Sequence, residues 1–215
     1  MAPRHPGAEQ WVPDGAGIGG LRRAARTCEG CDLYREATQT VFGEGPANAR
    51  LLLVGEQPGD VEDREGEPFV GPAGRLLDQA LEAAGIDRSR LYLTNAVKHF
   101  KFDRIEASSR RLHKKPTRGE AIACRPWLQA ELRAVAPELV VALGATAAQS
   151  LMGPDFRVST QRGEVLPLEL DDERYELLAT VHPSSVVRLS GDDRDCAFAG
   201  LVRDLRAAAD TVGDR

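Results

Sequence analysis

Residues 50–60, RLLLVGEQPGD, decide how the rest of the chain is read. The run from Leu51 to Val54 is apolar without alternation, as in a strand buried on both faces; a half-exposed strand would alternate apolar and polar residues. The turn that follows sets Glu56, Gln57 and Asp60 at the carboxyl end of that strand. Three further segments have the same character: 91–95 (LYLTN), 138–144 (ELVVALG) and 177–182 (LLATVH). Helical patterns lie between and after them. Residues 74–84 place Leu76, Leu77, Ala80, Leu81 and Ala84 on one face, and Thr117-x-x-Glu120 is a capping box opening a helix through Trp127 and Leu132. The closing helix, 196–209, turns Phe198, Leu201, Val202 and Leu205 inward. Strands alternating with helices predict an α/β fold: a three-layer α/β/α sandwich around a central four-stranded parallel sheet with right-handed crossovers. Residues 156–168 are expected to add a hairpin before the last strand.

A chain of 215 residues suits one domain, assigned to 18–215. The Pro/Gly-rich start, MAPRHPGAEQWVPDGAG, has no apolar core of the signal-peptide kind and is expected to be a flexible arm over 1–17. No apolar run approaches the roughly 20 residues of a membrane-spanning helix, so the expectation is a cytoplasmic protein without a membrane partner. Between Lys98 and Arg118 stand eight Lys/Arg against Asp103 and Glu106, a local +6 on a chain of net charge −5, leaving −11 for the remainder. A basic island on an acidic protein reads either as a solvated loop or as a polyanion contact, where counterion release supplies affinity.

Ligands of open α/β sheets gather beyond the carboxyl ends of the strands. The residues following those ends, Glu56, Gln57, Asp60, Asn95 and His182, make an acid/base and amide-reading constellation on one edge. Cys28-x-x-Cys31 suggests a metal or redox site. Its partners are either Cys124 and Cys196, giving an all-cysteine zinc or cluster site, or Cys124 and His99, since imidazole replaces thiolate in some iron–sulfur centres. Spacing alone does not choose.

Five segments, GEQPGD (55–60), EPFVGPAG (67–74), LTNAVK (93–98), ACRPWL (123–128) and VHPSS (181–185), resemble in order the motifs of the uracil-DNA glycosylase superfamily, nearest its cluster-bearing families 4 and 5. The insert RRLHKKP (110–116) resembles the extra loop of the UdgX group, whose members become covalently joined to uracil-containing DNA. The resemblance runs from Cys28 to about Leu205. It implies a four-iron, four-sulfur cluster held by Cys28, Cys31, His99 and Cys124, with His99 standing where family 4 has a cysteine. Cys196 then falls outside the set, as a core thiol at a helix start.

For the chemistry, the resemblance implies Phe69 as the platform for a flipped uracil and Asn95 as the amide that donates to O4 and accepts from N3–H. Gly55 and Gln57 shape the uracil pocket, and His182 stabilises charge developing at O2. Glu56 directs water in hydrolytic relatives. By the UdgX pattern His113 attacks the anomeric carbon instead, with Glu56 as its proton acceptor, Arg111 positioning the loop and Asp60 shaping the pocket. Arg110, Lys114, Lys115 and Ser184 are the implied DNA contacts. Ser109 and Leu112 depart from the lysine and isoleucine of the group's KRRIH form.

The expectation is therefore a monomer that excises uracil, preferentially from single-stranded DNA, and is joined to the abasic sugar through His113 in its first turnover. An ordinary multi-turnover glycosylase using water directed by Glu56 and Asp60 is the alternative. A non-enzymatic iron–sulfur nucleic-acid-binding protein is the third reading.

Overall fold

The computed structural model describes residues 5–105 and 110–213; Ser109, one of the two departures in the insert, lies outside them. In chain order the elements are α1 (Ile18–Ala25), β1 (Leu51–Gly55), α2 (Asp60–Glu65), α3 (Pro72–Ala84), β2 (Tyr92–Asn95), β3 (Phe102–Arg104) and β4 (Arg111–His113). Then follow α4 (Arg118–Val135), β5 (Leu139–Leu143), α5 (Ala145–Met152), α6 (Val158–Gln161), β6 (Val165–Leu170), β7 (Glu173–Thr180), α7 (Pro183–Val187) and α8 (Gly191–Thr211).

The central sheet has the order β2-β1-β5-β7-β6. β1 is parallel to β2 and β5, and β5 is parallel to β7. Alternate residues feed two cores, one on each face. Leu52, Val54, Val140 and Ala142 pack under α1, α4 and α5, while Leu51, Leu53, Leu139 and Val141 pack under α3 and α8. This is the expected α/β sandwich with one strand more than expected. The fifth, β6, runs antiparallel to β7 at the sheet edge. It carries Pro167 and alternates in burial, so it has no unbroken apolar run to announce it. β7 starts at Glu173, four residues before its apolar part, for the same reason. The expected hairpin therefore spans 165–180, turning at Asp171 (φ 55°), and α6 occupies part of the segment assigned to it.

Two other expectations are corrected. Where a free arm was expected over 1–17, the described residues 5–17 dock on the body: the Gly7 N–H donates to Gly30 O (3.0 Å), the Ala8 N–H to Ala123 O (2.9 Å), and Ala8 is buried. Cys196 is exposed on α8, which begins five residues earlier, and is no core thiol. The capping box of α4 forms as read, with the Thr117 hydroxyl accepting the Glu120 N–H (3.3 Å) and the Glu120 carboxylate accepting the Thr117 N–H (2.7 Å). Among the described residues no helix is long and apolar enough to cross a membrane.

One polar network is sealed inside. Lys98, 1% exposed, donates to Glu131 (2.5 Å), to the Thr94 hydroxyl (2.6 Å) and to the Asn95 carbonyl (2.7 Å). Glu131 also accepts from the Gly43 N–H and the Tyr92 hydroxyl, both at 3.0 Å. An ion pair this deep is tolerated because its donors and acceptors are met by partners on β2, on α4 and in the loop at Gly43.

Candidate active site

The carboxyl ends of β1, β2, β5 and β7 open into one cleft of about 780 Å³. It lies where the chain turns from β1 toward β2 on one side while β5 flanks β1 on the other, the switch point at which such sheets gather ligands. Glu56, Gln57 and Asp60 enter it after β1, Phe69 from the loop before α3, and Asn95 from β2. His182 and Ser184 enter after β7, and His113 and Lys115 from the stretch that includes β4.

Close backbone approach makes the floor. A Cβ on Gly55 would lie 2.3 Å from the Asn95 amide oxygen and 2.6 Å from the Phe69 ring, so only glycine lets the amide and the ring meet over the strand end. Phe69 sits at φ 59°, a strained setting for a bulky residue. Its carbonyl accepts from Arg88 (3.3 Å) and its ring is buried. The ring faces that of His182, with centroids 6.5 Å apart and planes 27° from parallel.

His182 caps α7. Its Nδ1 accepts the Ser184 N–H (3.1 Å) and lies 2.8 Å from the Ser184 hydroxyl. An accepting Nδ1 places the neutral ring's proton on Nε2. Burial pushes the imidazole down to about 4, with His113 and Arg188 adding to the shift, so the ring is a neutral donor at physiological pH.

The opposite wall is an arm, the antiparallel pair of β3 and β4, in register Phe102↔His113, Asp103↔Leu112 and Arg104↔Arg111. Strand alternation sends Arg111 and His113 to one face and leaves Leu112 outward, 42% exposed. Arg111 fastens the arm to α2: its Nε donates to Asp60, and its guanidinium donates to Asp63 (2.6 Å) and to the Thr38 hydroxyl (3.2 Å). The same group lies over the Phe100 and Phe102 rings at 5.4 and 5.0 Å. Asp63 is fully buried and also accepts the Thr38 N–H (3.0 Å).

Anchored this way, the arm sets His113 Nε2 3.5 Å from Glu56 Oε1 and 2.9 Å from the Gln57 amide nitrogen. Gln57 Oε1 accepts the Lys101 N–H (3.0 Å), which turns its NH₂ toward His113 and the Lys114 carbonyl (3.0 Å). The second Glu56 oxygen accepts from the Thr146 hydroxyl at the start of α5.

Not every expected residue reaches the cleft. Arg111 lies between the arm and α2, Gly55 beneath the floor, and Arg110 does not line the cleft. Lys114 points away, paired with Asp103 (2.9 Å). Thr146, Asp63 and Arg188 were not singled out from sequence. Thr146 follows a strand end and was findable by that rule, whereas Asp63 is legible only once Arg111 is seen to need a partner 48 residues away.

Cys28, Cys31, His99 and Cys124 surround a second, much smaller void of about 10 Å³ behind the cleft. N–H groups point at the sulfurs: Trp127 Nε1 to Cys28 (3.1 Å) and the Lys98 N–H to Cys124 (3.3 Å). Burial pushes the Cys31 and Cys124 thiols up to about 11 and 12. Thr40 donates its hydroxyl to the Ala25 carbonyl (2.9 Å), so at 2.9 Å from His99 Nε2 it serves as acceptor and leaves Nδ1 the basic nitrogen. Among the described residues no three His, Cys, Asp or Glu side chains are drawn tightly enough to hold a single metal ion.

Fold and cleft define an α/β protein with its site at the carboxyl ends of parallel strands, half built from the sheet and half from an inserted arm. Residues 42–206 match the family described as the uracil DNA glycosylase superfamily. The chain is 35% identical over 169 residues to the type-4 uracil-DNA glycosylase of Archaeoglobus fulgidus, covering 77% of this chain and 80% of that protein. It is 35% identical over 164 residues to that of Thermotoga maritima (76% and 79%) and 32% over 172 residues to that of Sulfurisphaera tokodaii (78% and 74%). The chain belongs to the uracil-DNA glycosylase superfamily.

Proposed function

We propose that this protein excises uracil from DNA and, in doing so, joins itself to the abasic sugar through His113. The observation that carries the reading is His113 Nε2 at 3.5 Å from Glu56 Oε1 inside the strand-end cleft, on an arm fastened by Arg111. A flipped uracil stacks on Phe69, and the Asn95 amide donates to O4 and accepts from N3–H, a pattern cytosine cannot match. His182 donates from Nε2 to O2 as charge develops there. The Gln57 NH₂ faces His113 Nε2, so that nitrogen holds a lone pair; the lone pair bonds to C1′, the C1′–N1 electron pair leaves with uracil as its anion, and the alkylimidazolium so formed, stabilised beside the Glu56 carboxylate, gives up its Nδ1 proton to water. An alkylated imidazole is a poor leaving group, so the first turnover is the last. The test is a denaturing gel of the protein mixed with uracil-containing single-stranded DNA. A heat-stable protein–DNA band absent in His113→Ser is expected; free abasic product without that band overturns the reading.

A second reading, multi-turnover hydrolysis by water that Glu56 directs, is favoured by the type-4 relatives. Asp60, its other proposed member, is already engaged by Arg111 and by Arg64 (3.1 Å). Under hydrolysis His113→Ser keeps full multi-turnover activity.

Cys28, Cys31, Cys124 and His99 Nδ1 are the donors we assign to a four-iron, four-sulfur cluster, which would staple the N-terminal segment, β2 and α4 together as a structural group. The donor chemistry fits, since three thiols and one imidazole meet N–H···S contacts of the kind that stabilise cluster thiolates. The void of about 10 Å³ requires the surrounding loops to part around the cluster. Iron and acid-labile sulfide in equal amounts are expected on analysis; stoichiometric zinc overturns the assignment.

A further inference from the structure

Beside the uracil cleft, a groove of about 440 Å³ runs between the start of α4 and the length of α5. The two are continuous, because Lys115 and Thr146 line both. Its walls carry Lys115, Arg118 and Arg125, and its rim carries Ile122, 55% exposed, and Met152. Cations next to carboxylates elsewhere on this acidic chain are engaged by them: Arg50 with Glu138, Arg88 with Asp78, Lys101 with Glu120, Arg162 with Asp204. Lys115, Arg118 and Arg125 form no ion pair among the described residues. Arg125 Nε is moreover buried without a hydrogen-bond partner, an unmet donor of a kind folded proteins rarely leave.

Three unpaired cations along an apolar-rimmed channel are what a single nucleic-acid strand needs: phosphates on the cations and base faces on the apolar side chains. We infer that this groove is the track for the nucleotides on one side of the target uracil, with Arg118 and Arg125 on successive phosphates and Ile122 and Met152 under a base. The inference rests on the reading of the neighbouring cleft as the uracil site. It gives the strand a fixed exit: once the base is in the cleft, the chain leaves over Lys115 and Thr146 toward α5. A duplex must part from its partner strand to follow the same channel, which supplies a physical ground for single-strand preference.

The test uses short single strands carrying a non-cleavable 2′-fluorinated deoxyuridine at the 5′ end, at the 3′ end, or replaced by thymidine, with affinity read by fluorescence anisotropy across a salt series. Arg118→Ala with Arg125→Ala is expected to weaken binding about tenfold for only one of the two end-placed strands. The slope of log affinity against log salt for that strand should fall by about 1.4, roughly 0.7 per lost phosphate contact. Should the Arg125 change lower folding yield, Arg118→Glu with Ile122→Glu, both exposed positions, probes the same channel and is expected to give the same one-sided loss. Equal loss on both strands, or a change within about twofold on both, overturns the groove. A parent protein that binds uracil and thymidine strands alike removes the reading of the cleft and this inference with it, whereas uracil preference without a one-sided loss removes the groove alone.

Discussion

The two walls of the cleft are held in opposite ways. The sheet wall, Glu56, Asn95 and His182, stands on strand ends whose preceding residues are almost wholly buried, and Asn95 is further tied by its carbonyl to the sealed Lys98–Glu131 pair. The arm wall, His113 with Lys115, stands on a three-residue strand pair with Leu112 exposed, and it is attached by side chains: the Arg111 guanidinium on Asp60 and Asp63, and the Gln57 amide on the Lys101 and Lys114 backbone. The sheet wall therefore inherits the stability of the whole domain, whereas the arm wall has only its own anchor. Reading the base and attacking the sugar are jobs that separate along this line, and substitutions on either side should separate them too.

The largest effect belongs to the sheet side. Lys98→Met leaves Glu131 buried and unpaired, which costs about 3–5 kcal/mol and should be read as a large fall in midpoint temperature. Replacing both partners, Lys98→Met with Glu131→Leu, removes the orphaned charge and should recover most of that loss. If the single and double variants melt together, the pair is not what holds this wall.

Next comes His182→Gln, expected to slow uracil release by about 10²–10³-fold, the range seen when one oxyanion donor is removed, with little change in melting. Its pH dependence sharpens the point. The folded-state pKa of His182 is depressed to about 4 by burial, so the ring stays a neutral donor until pH falls through that value. An acid limb near pH 4, absent in His182→Gln, is expected in the rate profile. The unfolded chain takes up the proton near its ordinary value of about 6.5, so the same depression removes stability as pH falls from there toward 4.

On the arm side, Arg111→Gln should cut adduct formation about 10²-fold, the scale of an ångström-sized misplacement of a reacting group, while uracil affinity is retained because Phe69 and Asn95 are untouched. Equal loss of affinity and adduct would show that the walls do not act separately.

This division also explains what could be read from the sequence. Strands whose apolar runs are buried on both faces announced themselves, and with them the strand-end residues Glu56, Asn95 and His182. The edge hairpin is expected at 156–168 but lies at 165–180, because it alternates its burial and carries Pro167, so no apolar run fixes its bounds. The arm was legible as charge and as a motif, yet not as a structure: Arg111 reads as one more cation of a basic loop until Asp63 and Thr38, both distant in sequence, close on it. Spacing likewise left the fourth partner of the cysteines open between His99 and Cys196; the fold brings His99 to the void and leaves Cys196 exposed on α8.

The smallest expected effect lies where the walls meet. Glu56 belongs to the sheet wall but faces His113 of the arm with one oxygen, and the Thr146 hydroxyl holds the other. A glutamate side chain, with three rotatable bonds, has several rotamers, and the Thr146 bond selects the one that presents Oε1 to the imidazole. Thr146→Val keeps the shape and the β-branch but removes the donor, so it should lower the adduct rate by about tenfold, one lost hydrogen bond to a charged group, without changing affinity for a non-cleavable uracil strand. Thr146→Ser restores the hydroxyl and should restore the rate. If valine is as fast as threonine, Glu56 is held by His113 and Gln57 alone, and the arm wall positions the sheet wall as much as the reverse.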